Sequence, residues 1–458
     1  MNRSTTRRLR VIAPLAALAL AASACGGGDS ESEPSGSESS DSSGSESESA
    51  DSGETFEAAD CANGSTSADT FKVGSILPLT GNLAFLGPPE IAGVGLAVAD
   101  VNSAGGAAGN DACFLSTDSG DTTDNSVGNG SANQLVDAQV SIAVGAAASG
   151  VTENIIGTFT DNEIVQISPA NTATSLSGAS DYYFRTAPPD TIQGGALGDL
   201  LIQDGRQRVA FIVFNDPYGT GLRNVVQQTV EDQGAEVVYG AEGDGDEFPP
   251  GQTTFSSEVT AALAAEPDAI VILAFDETAS IIPELEAQGW DNANSYFSDG
   301  NLADYSDSFD PGVLEGAKGT LPGADAPDEF RDRVSSWYED VEGSALDDFS
   351  YAAESYDAVI LAALAATRGE GTDPNTIREN MRAVSGSEEG SEECTTYEEC
   401  VALLEDGTEI QYRGPSGIGP INEDNDPSSA FIGIYQFDGD NVNQFQGAIE
   451  ATSDEASQ

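Results

Sequence analysis

Histidine is missing from this 458-residue chain, and basic residues are few, 16 Lys plus Arg against 78 Asp plus Glu. Without histidine there is no usual general base for Ser-His-Asp or Cys-His hydrolysis, and the commonest zinc ligand is gone. No Gly-x-Ser-x-Gly elbow occurs either, which counts against an envelope hydrolase. The formal net charge of −62 repels phosphate backbones and anionic headgroups, so nucleic acid is excluded as a partner. Near the N-terminus the apolar run, residues 11–22, falls short of the roughly 20 residues that span a bilayer. What remains is 39% hydrophobic, enough for a real core, over a length that holds two or three domains of about 100–200 residues each.

The first 25 residues concentrate positive charge. Arg3, Arg7, Arg8 and Arg10 precede the apolar run, which ends in Ala22-Ser23-Ala24-Cys25. That pattern marks residues 1–24 as a signal peptide and the chain as exported. Leu20 to Cys25 resembles a bacterial lipobox, with Ala22 where Leu is usual, so Cys25 is expected to carry a lipid on the outer face of the cell membrane. Ordinary cleavage leaving a free cysteine is the alternative. Residues 25–60 are Gly, Ser, Glu and Asp with Phe56 almost the sole apolar side chain. Such a stretch cannot bury enough surface to offset chain entropy, and it is expected to be a disordered acidic linker behind the anchor.

Beyond Cys61, apolar strand patterns at 71–77, 112–116, 141–144, 164–167, 208–214, 236–239 and 269–275 alternate with helical ones. The helical patterns cover 91–101, 152–160, 191–203, 221–233, 256–265 and 278–288. Continuous apolar strands separated by helices imply an α/β fold with buried parallel sheets. The series is too long for one sheet and predicts two doubly wound lobes. Ligands in such sheets sit beyond the carboxyl ends of the strands, at helix N-termini. Three loops stand there. One carries Ser149 ahead of a helix, where it either binds an anion or merely caps; another runs from Ile167 to Thr172; the third, Asn215-Asp216-Pro217-Tyr218-Gly219, presents an aromatic ring.

An ordered series of short motifs then carries a family resemblance. Ile76-Leu77-Pro78-Leu79-Thr80-Gly81 and Asp100-Val101-Asn102-Ser103-Ala104-Gly105-Gly106 open it. Arg185-Thr186-Ala187 with Asp190 and Gln193-Gly194, Asp216-Pro217-Tyr218-Gly219, Ser350-Tyr351, Tyr356-Asp357-Ala358 and Tyr412-Arg413-Gly414-Pro415-Ser416-Gly417 follow. Over about residues 70–445 the chain resembles the branched-chain amino-acid binding proteins of ABC transporters. The resemblance implies a type I periplasmic-binding fold, two lobes joined by three hinge crossings that close on a ligand. The crossings are placed near Ala187, Lys318 and Arg413, giving one lobe of 66–187 plus 319–412 and another of 188–318 plus 413–452. It also implies that Ser149, Ala170 and Thr172 hold a carboxylate, that Asp299 or a residue next to it holds an ammonium group, and that Tyr218 and Tyr351 form aromatic walls. Leu86 stands where an aromatic is common, and Phe275-Asp276 replaces a Gly-Tyr pair, so the side-chain pocket is expected to differ.

With Cys25 lipidated, Cys61, Cys113, Cys394 and Cys400 leave three possible pairings. Cys394 with Cys400, flanking one short acidic loop, and Cys61 with Cys113 are expected. Asp118, Asp121 and Asp124, and likewise Asp438 and Asp440, lack the twelve-residue calcium pattern and read as solvated turns, so neither metal nor cofactor is expected. The leading expectation is a monomeric solute-binding lipoprotein that hands an amino acid, or a related small amide or carboxylate, to an ABC transporter permease. A ligand sensor of the same fold acting on a separate signalling partner is the alternative. Because binding needs only one or two acids, the remaining negative charge is expected to suit a salty exterior, where ions screen self-repulsion.

Overall fold

The computed structural model describes residues 55–61, 67–323 and 326–452. The signal peptide, Cys25 and the acidic linker up to residue 54 lie outside them. No helix among the described residues is long and apolar enough to cross a membrane.

The chain first builds β1 (Phe71–Leu77), α1 (Gly87–Ser103), β2 (Ala112–Asp118), α2 (Asn125–Ala138), β3 (Ile142–Gly145), α3 (Ser149–Asp161), β4 (Val165–Ser168) and β5 (Tyr183–Arg185). The strands form one parallel sheet in the order β2-β1-β3-β4-β5. Side chains alternate between two cores: Ile142 and Val144 face one, while Ala143 faces the other with Leu135, Ile155 and Phe159.

A second run supplies α4 (Asp190–Gln203), β6 (Arg208–Val213), α5 (Pro217–Asp232), β7 (Glu236–Tyr239), α6 (Ser256–Ala264), β8 (Ala269–Leu273), α7 (Thr278–Ala287), β9 (Ser295–Phe297) and β10 (Lys318–Pro322). The chain then returns to the first sheet with α8 (Asp328–Glu342), α9 (Ala352–Gly369), α10 (Pro374–Val384), β11 (Glu392–Cys394), α11 (Tyr397–Glu405) and β12 (Ile410–Tyr412). Here α9 and α8 pack on α1. Glycines allow that approach: a Cβ on Gly93 would lie 2.2 Å from the Ala352 carbonyl, and one on Gly95 would lie 1.9 Å from the Trp337 ring. Finally β13 (Ser429–Phe437) and β14 (Asn443–Thr452) add an antiparallel hairpin, completing a seven-stranded sheet β14-β13-β10-β9-β8-β6-β7. The second sheet is therefore mixed, where the sequence suggested parallel strands alone.

Beyond Lys318, β10 stays in the second sheet to Pro322, and the Gly323 amide still donates to the Phe431 carbonyl at 2.8 Å. Past Arg413, residues up to Asp426 remain against the first sheet's side. Buried Asp357 on α9 accepts from Tyr412 Oη at 2.7 Å and from the Ser416 amide and hydroxyl, while Asp426 pairs with Arg185. Each buried charge needs a partner, and this segment provides both.

Residues 56–61 are tied to the first sheet's side. Phe56 packs on the core, the Phe114 amide donates to the Ala59 carbonyl at 2.7 Å, and a Cys61–Cys113 disulfide fastens the segment to β2. Cys394–Cys400 forms the second disulfide. Because Cys61 and Cys113 close a loop of 52 residues, replacing both by Ser is expected to lower unfolding free energy by about 2–4 kcal/mol in a urea titration.

Where α1 meets α9, two carboxyls are buried. Neither oxygen of Glu90 has a hydrogen-bond partner, and burial, then the neighbouring Glu354, pushes its pKa well up. Glu354 is raised to about 8, chiefly by burial. Folded-state values above the unfolded one mean that folding retains protons, so stability is greatest below about pH 4.5 for Glu354 and falls as pH rises toward 8. Melting temperature is expected to decline over that window, and Glu354→Gln to flatten the decline; an unchanged slope in the variant would contradict it.

Candidate functional site

The two sheets face each other across a narrow cleft beyond the carboxyl ends of their parallel strands. One wall is Leu83, Leu86, Ala147, Ala148, Ser149 and Ala170; the other is Tyr218, Phe275, Asp299 and Gly300, with Tyr351 between. The free space among them is about 10 Å³, hardly one water, so the lobes are closed on each other and must part to admit a ligand.

The first wall is built from two loops that bind each other. At the end of β3, Gly145 has φ +118°, and a Cβ there would meet the Ile76 carbonyl at 2.1 Å. Residues 146–148 then lead into α3, where Ser149 is buried and its Oγ accepts from the Ala173 amide at 3.4 Å. After β4, Ser168 Oγ donates to the Ala146 carbonyl at 2.7 Å and accepts from the Asn171 amide, while Asn171 Nδ2 donates to the Ala147 carbonyl at 2.6 Å. Thr172 lies just behind the wall, with its Oγ1 buried and unpartnered. Beneath, the Arg185 guanidinium pairs through both Nε and Nη2 with Asp426, at 2.6 and 2.9 Å, and donates to the Ala173 and Asn171 carbonyls and to Ser177 Oγ. This buried pair holds the Ala170–Thr172 loop in place.

The second wall centres on Asp299, the one charged residue lining the cleft among the described residues. A turn after β9, in which the Ser298 amide donates to Asn301 Oδ1, aims its carboxylate. Oδ1 accepts from Gln193 Nε2 and Tyr218 Oη, each at 2.7 Å, and Oδ2 accepts from Tyr351 Oη at 2.7 Å. Two carboxylate oxygens offer about four acceptor positions, so one is left over. Burial raises the Asp299 pKa, opposed by these three donors. Tyr218 stacks on Phe275 with centroids 5.7 Å apart, and its amide is capped by Asp216. Gly300 allows the ring stack to approach, since a Cβ there would lie 2.8 Å from Phe275.

Sequence reasoning overlooked two groups. Asp190 begins α4 fully buried, neither carboxylate oxygen has a hydrogen bond, and burial followed by the charge of Asp299 pushes its pKa well up. Gln193, one turn on, orients Asp299 and leaves its Oε1 unpartnered. Both stood in the Asp190-x-x-Gln193 motif, but only the meeting of α4 with the cleft gives them a role. Asp276, named as a site residue from the sequence, is exposed in the turn after β8 and outside the cleft, while its neighbour Phe275 occupies the wall.

The acidic loops act as staples. Asp118 accepts from the Leu79, Thr80 and Gly120 amides, Asp121 from those of Asn82 and Thr123, and Asp124 caps α2. Among the described residues no group of three or more metal-ligating side chains is placed to hold an ion.

The periplasmic binding protein family model matches residues 70–396. The chain belongs to that family. A leucine-, isoleucine-, valine-, threonine- and alanine-binding protein of Pseudomonas aeruginosa is 30% identical over 181 residues, 39% of this chain and 48% of that protein. This periplasmic binding protein thus spans about half the length of the curated relatives it matches. Its fold is that of a leucine-binding protein from Thermotoga maritima, with TM-score 0.66 and 20% identity over 84% of this chain and 99% of that one. A solute-binding protein of a Rhodopseudomonas palustris ABC transporter, solved with p-hydroxybenzoic acid, gives TM-score 0.65 at 17% identity, over 84% and 98% of the two chains. These relatives are named as binding proteins and not as enzymes.

Proposed function

We propose that this protein is the lipid-anchored receptor of an ABC importer and captures an amino acid, or a close amine-bearing analogue, by closing two lobes over it. Cys25 carries the lipid and residues 25–54 form the tether, with a permease as partner. Each lobe is discontinuous, the hinge lying near residues 186–189, 322–323 and 427–429. The α3 N-terminus, with Ser149, Thr172 and the loop at Ala170, receives the ligand carboxylate, as the helix dipole favours an anion there.

The observation that carries the reading is Asp299, a buried carboxylate with one acceptor position unused and a second carboxylate, Asp190, behind it. A cationic head fits that position, whereas a simple aromatic acid such as p-hydroxybenzoate would bring no counter-charge to it. Leu83, Leu86 and Phe275 leave an apolar space for the side chain. A thermal-shift panel of amino acids, amides and small carboxylates tests this: a ligand at 100 times its dissociation constant stabilises the folded state by about 2.7 kcal/mol. Amine-bearing acids are expected to shift the melting point; a panel in which none does so contradicts the proposal.

A further inference from the structure

Beyond Tyr351, on the side away from Ser149, lies a second cavity of about 340 Å³, walled by both lobes and sharing Tyr351 with the first. Its size is that of a small-molecule site. From the second lobe it takes Leu302, Asp304, Tyr435 and Phe445, and from the first Asp347, Asp348, Phe349 and Glu354. Three observations bear on what fits it. Asp304 and Asp348 face each other across the gap closely enough that Asp304 helps to raise the Asp348 pKa, after burial. Glu354 is only 5% exposed and lines the cavity, and burial is the chief cause that holds its pKa up, opposed by a backbone hydrogen bond. The single basic lining residue, Arg331, pairs with Asp328 at 2.6 Å and lies over the Phe349 ring of the cavity wall at 6.0 Å, against four lining carboxylates, Asp304, Asp347, Asp348 and Glu354. Aromatic rings stand on both walls, Tyr351 and Phe349 opposite the Tyr435–Phe445 pair.

Carboxylates with aromatic faces are the chemistry that holds ammonium groups. A bare metal ion is disfavoured, because the described carboxylates do not converge as a ligand set. We propose that this second interlobe cavity binds a small organic cation, an ammonium compound about the size of choline, and that its occupancy favours the closed lobes. The cation sits between Asp304 on one lobe and Asp348 and Glu354 on the other, so it relieves a repulsion that exists only when the lobes are together. A ligand that contacts both lobes in this way shifts the equilibrium toward closure. The hinge is within reach: Gly323, at the end of β10, abuts Glu354, where a Cβ would lie 2.6 Å from Oε1, and Thr186 Oγ1 donates to the Glu354 carbonyl at 2.9 Å. The proposal does not depend on the amino-acid reading of the first cleft.

The test is calorimetric titration of the full chain with choline chloride at constant ionic strength against sodium chloride, at pH 7 in two buffers of different ionisation enthalpy. Expected are one saturable site and release of a proton to the buffer, since a cation beside Glu354, raised to about 8, favours its ionised form. Glu354→Gln should weaken choline about tenfold, the loss of one desolvated charge contact, and Asp304→Asn, at an exposed position that keeps its turn, should weaken it by a smaller factor. Asp299→Asn should leave choline binding unchanged. The proposal is overturned if no saturable heat appears beyond that of sodium, if choline binding survives both Asp304→Asn and Glu354→Gln, or if only Asp299→Asn removes it, which would place the cation in the first cleft.

Discussion

Asp299→Asn is expected to weaken binding of an amino acid by about 30-fold or more, the roughly 2–5 kcal/mol lost when one partner of a buried charge pair is removed. The carboxylate now accepts from Gln193 and Tyr218 on one oxygen and from Tyr351 on the other. An amide keeps one acceptor and turns an NH₂ toward whatever occupies the remaining position, so an ammonium group meets a donor instead of a charge. The unliganded protein should change little in melting temperature, because the acceptor lost to Gln193, Tyr218 or Tyr351 is offset by removal of a buried charge that raises the cost of ionising Asp190. Affinity falling while stability holds is the pattern of a residue kept for binding. Calorimetric dissociation constants alongside melting curves check both halves; a change in affinity below about threefold would remove Asp299 from the site.

The largest expected loss of stability is at Arg185. Its side chain is wholly buried, pairs with Asp426 through two nitrogens, and donates to two carbonyls and Ser177. Arg185→Ala leaves Asp426 as an uncompensated charge in the interior, a change that costs about 3–5 kcal/mol. Arg185→Lys should recover little, since an ammonium cannot reproduce the planar fork that reaches Asp426 and the loop at once. Because those contacts anchor the Ala170–Thr172 loop, ligand affinity should fall with stability in both variants. Urea denaturation giving less than about 1 kcal/mol for Arg185→Ala contradicts the anchoring role.

How much of this was legible from the chain follows from burial. β3, β8 and, beyond Arg208, β6 are enclosed on both faces, so their sequences read as unbroken apolar runs. In α2 the polar stretch Asn125-Ser126-Val127-Gly128-Asn129-Gly130 hides the helix, for only Gly128, Ala132 and Leu135 are buried in it. The β13–β14 hairpin escaped notice for a similar reason: β14 alternates exposed and half-buried residues, and the turn that announces it, Asp438 to Val442, looks like a loose acidic loop until Asp438 Oδ1 is seen to accept from the Asp440 and Val442 amides. In the site, Leu86, Ser149, Ala170, Tyr218, Asp299 and Tyr351 line one cleft. Asp190 and Gln193 were visible as a motif and not as chemistry, because a helix start acquires a ligand-facing role only when the opposite lobe covers it.

The most direct measurement is a calorimetric comparison of the amino acid giving the largest thermal shift with its 2-hydroxy acid and its decarboxylated amine, on the full chain. A site that grips the carboxylate at the α3 N-terminus and the ammonium at Asp299 predicts that each truncated analogue binds at least about tenfold more weakly than the intact amino acid. A 2-hydroxy acid or p-hydroxybenzoate binding as tightly as any amino acid would contradict it.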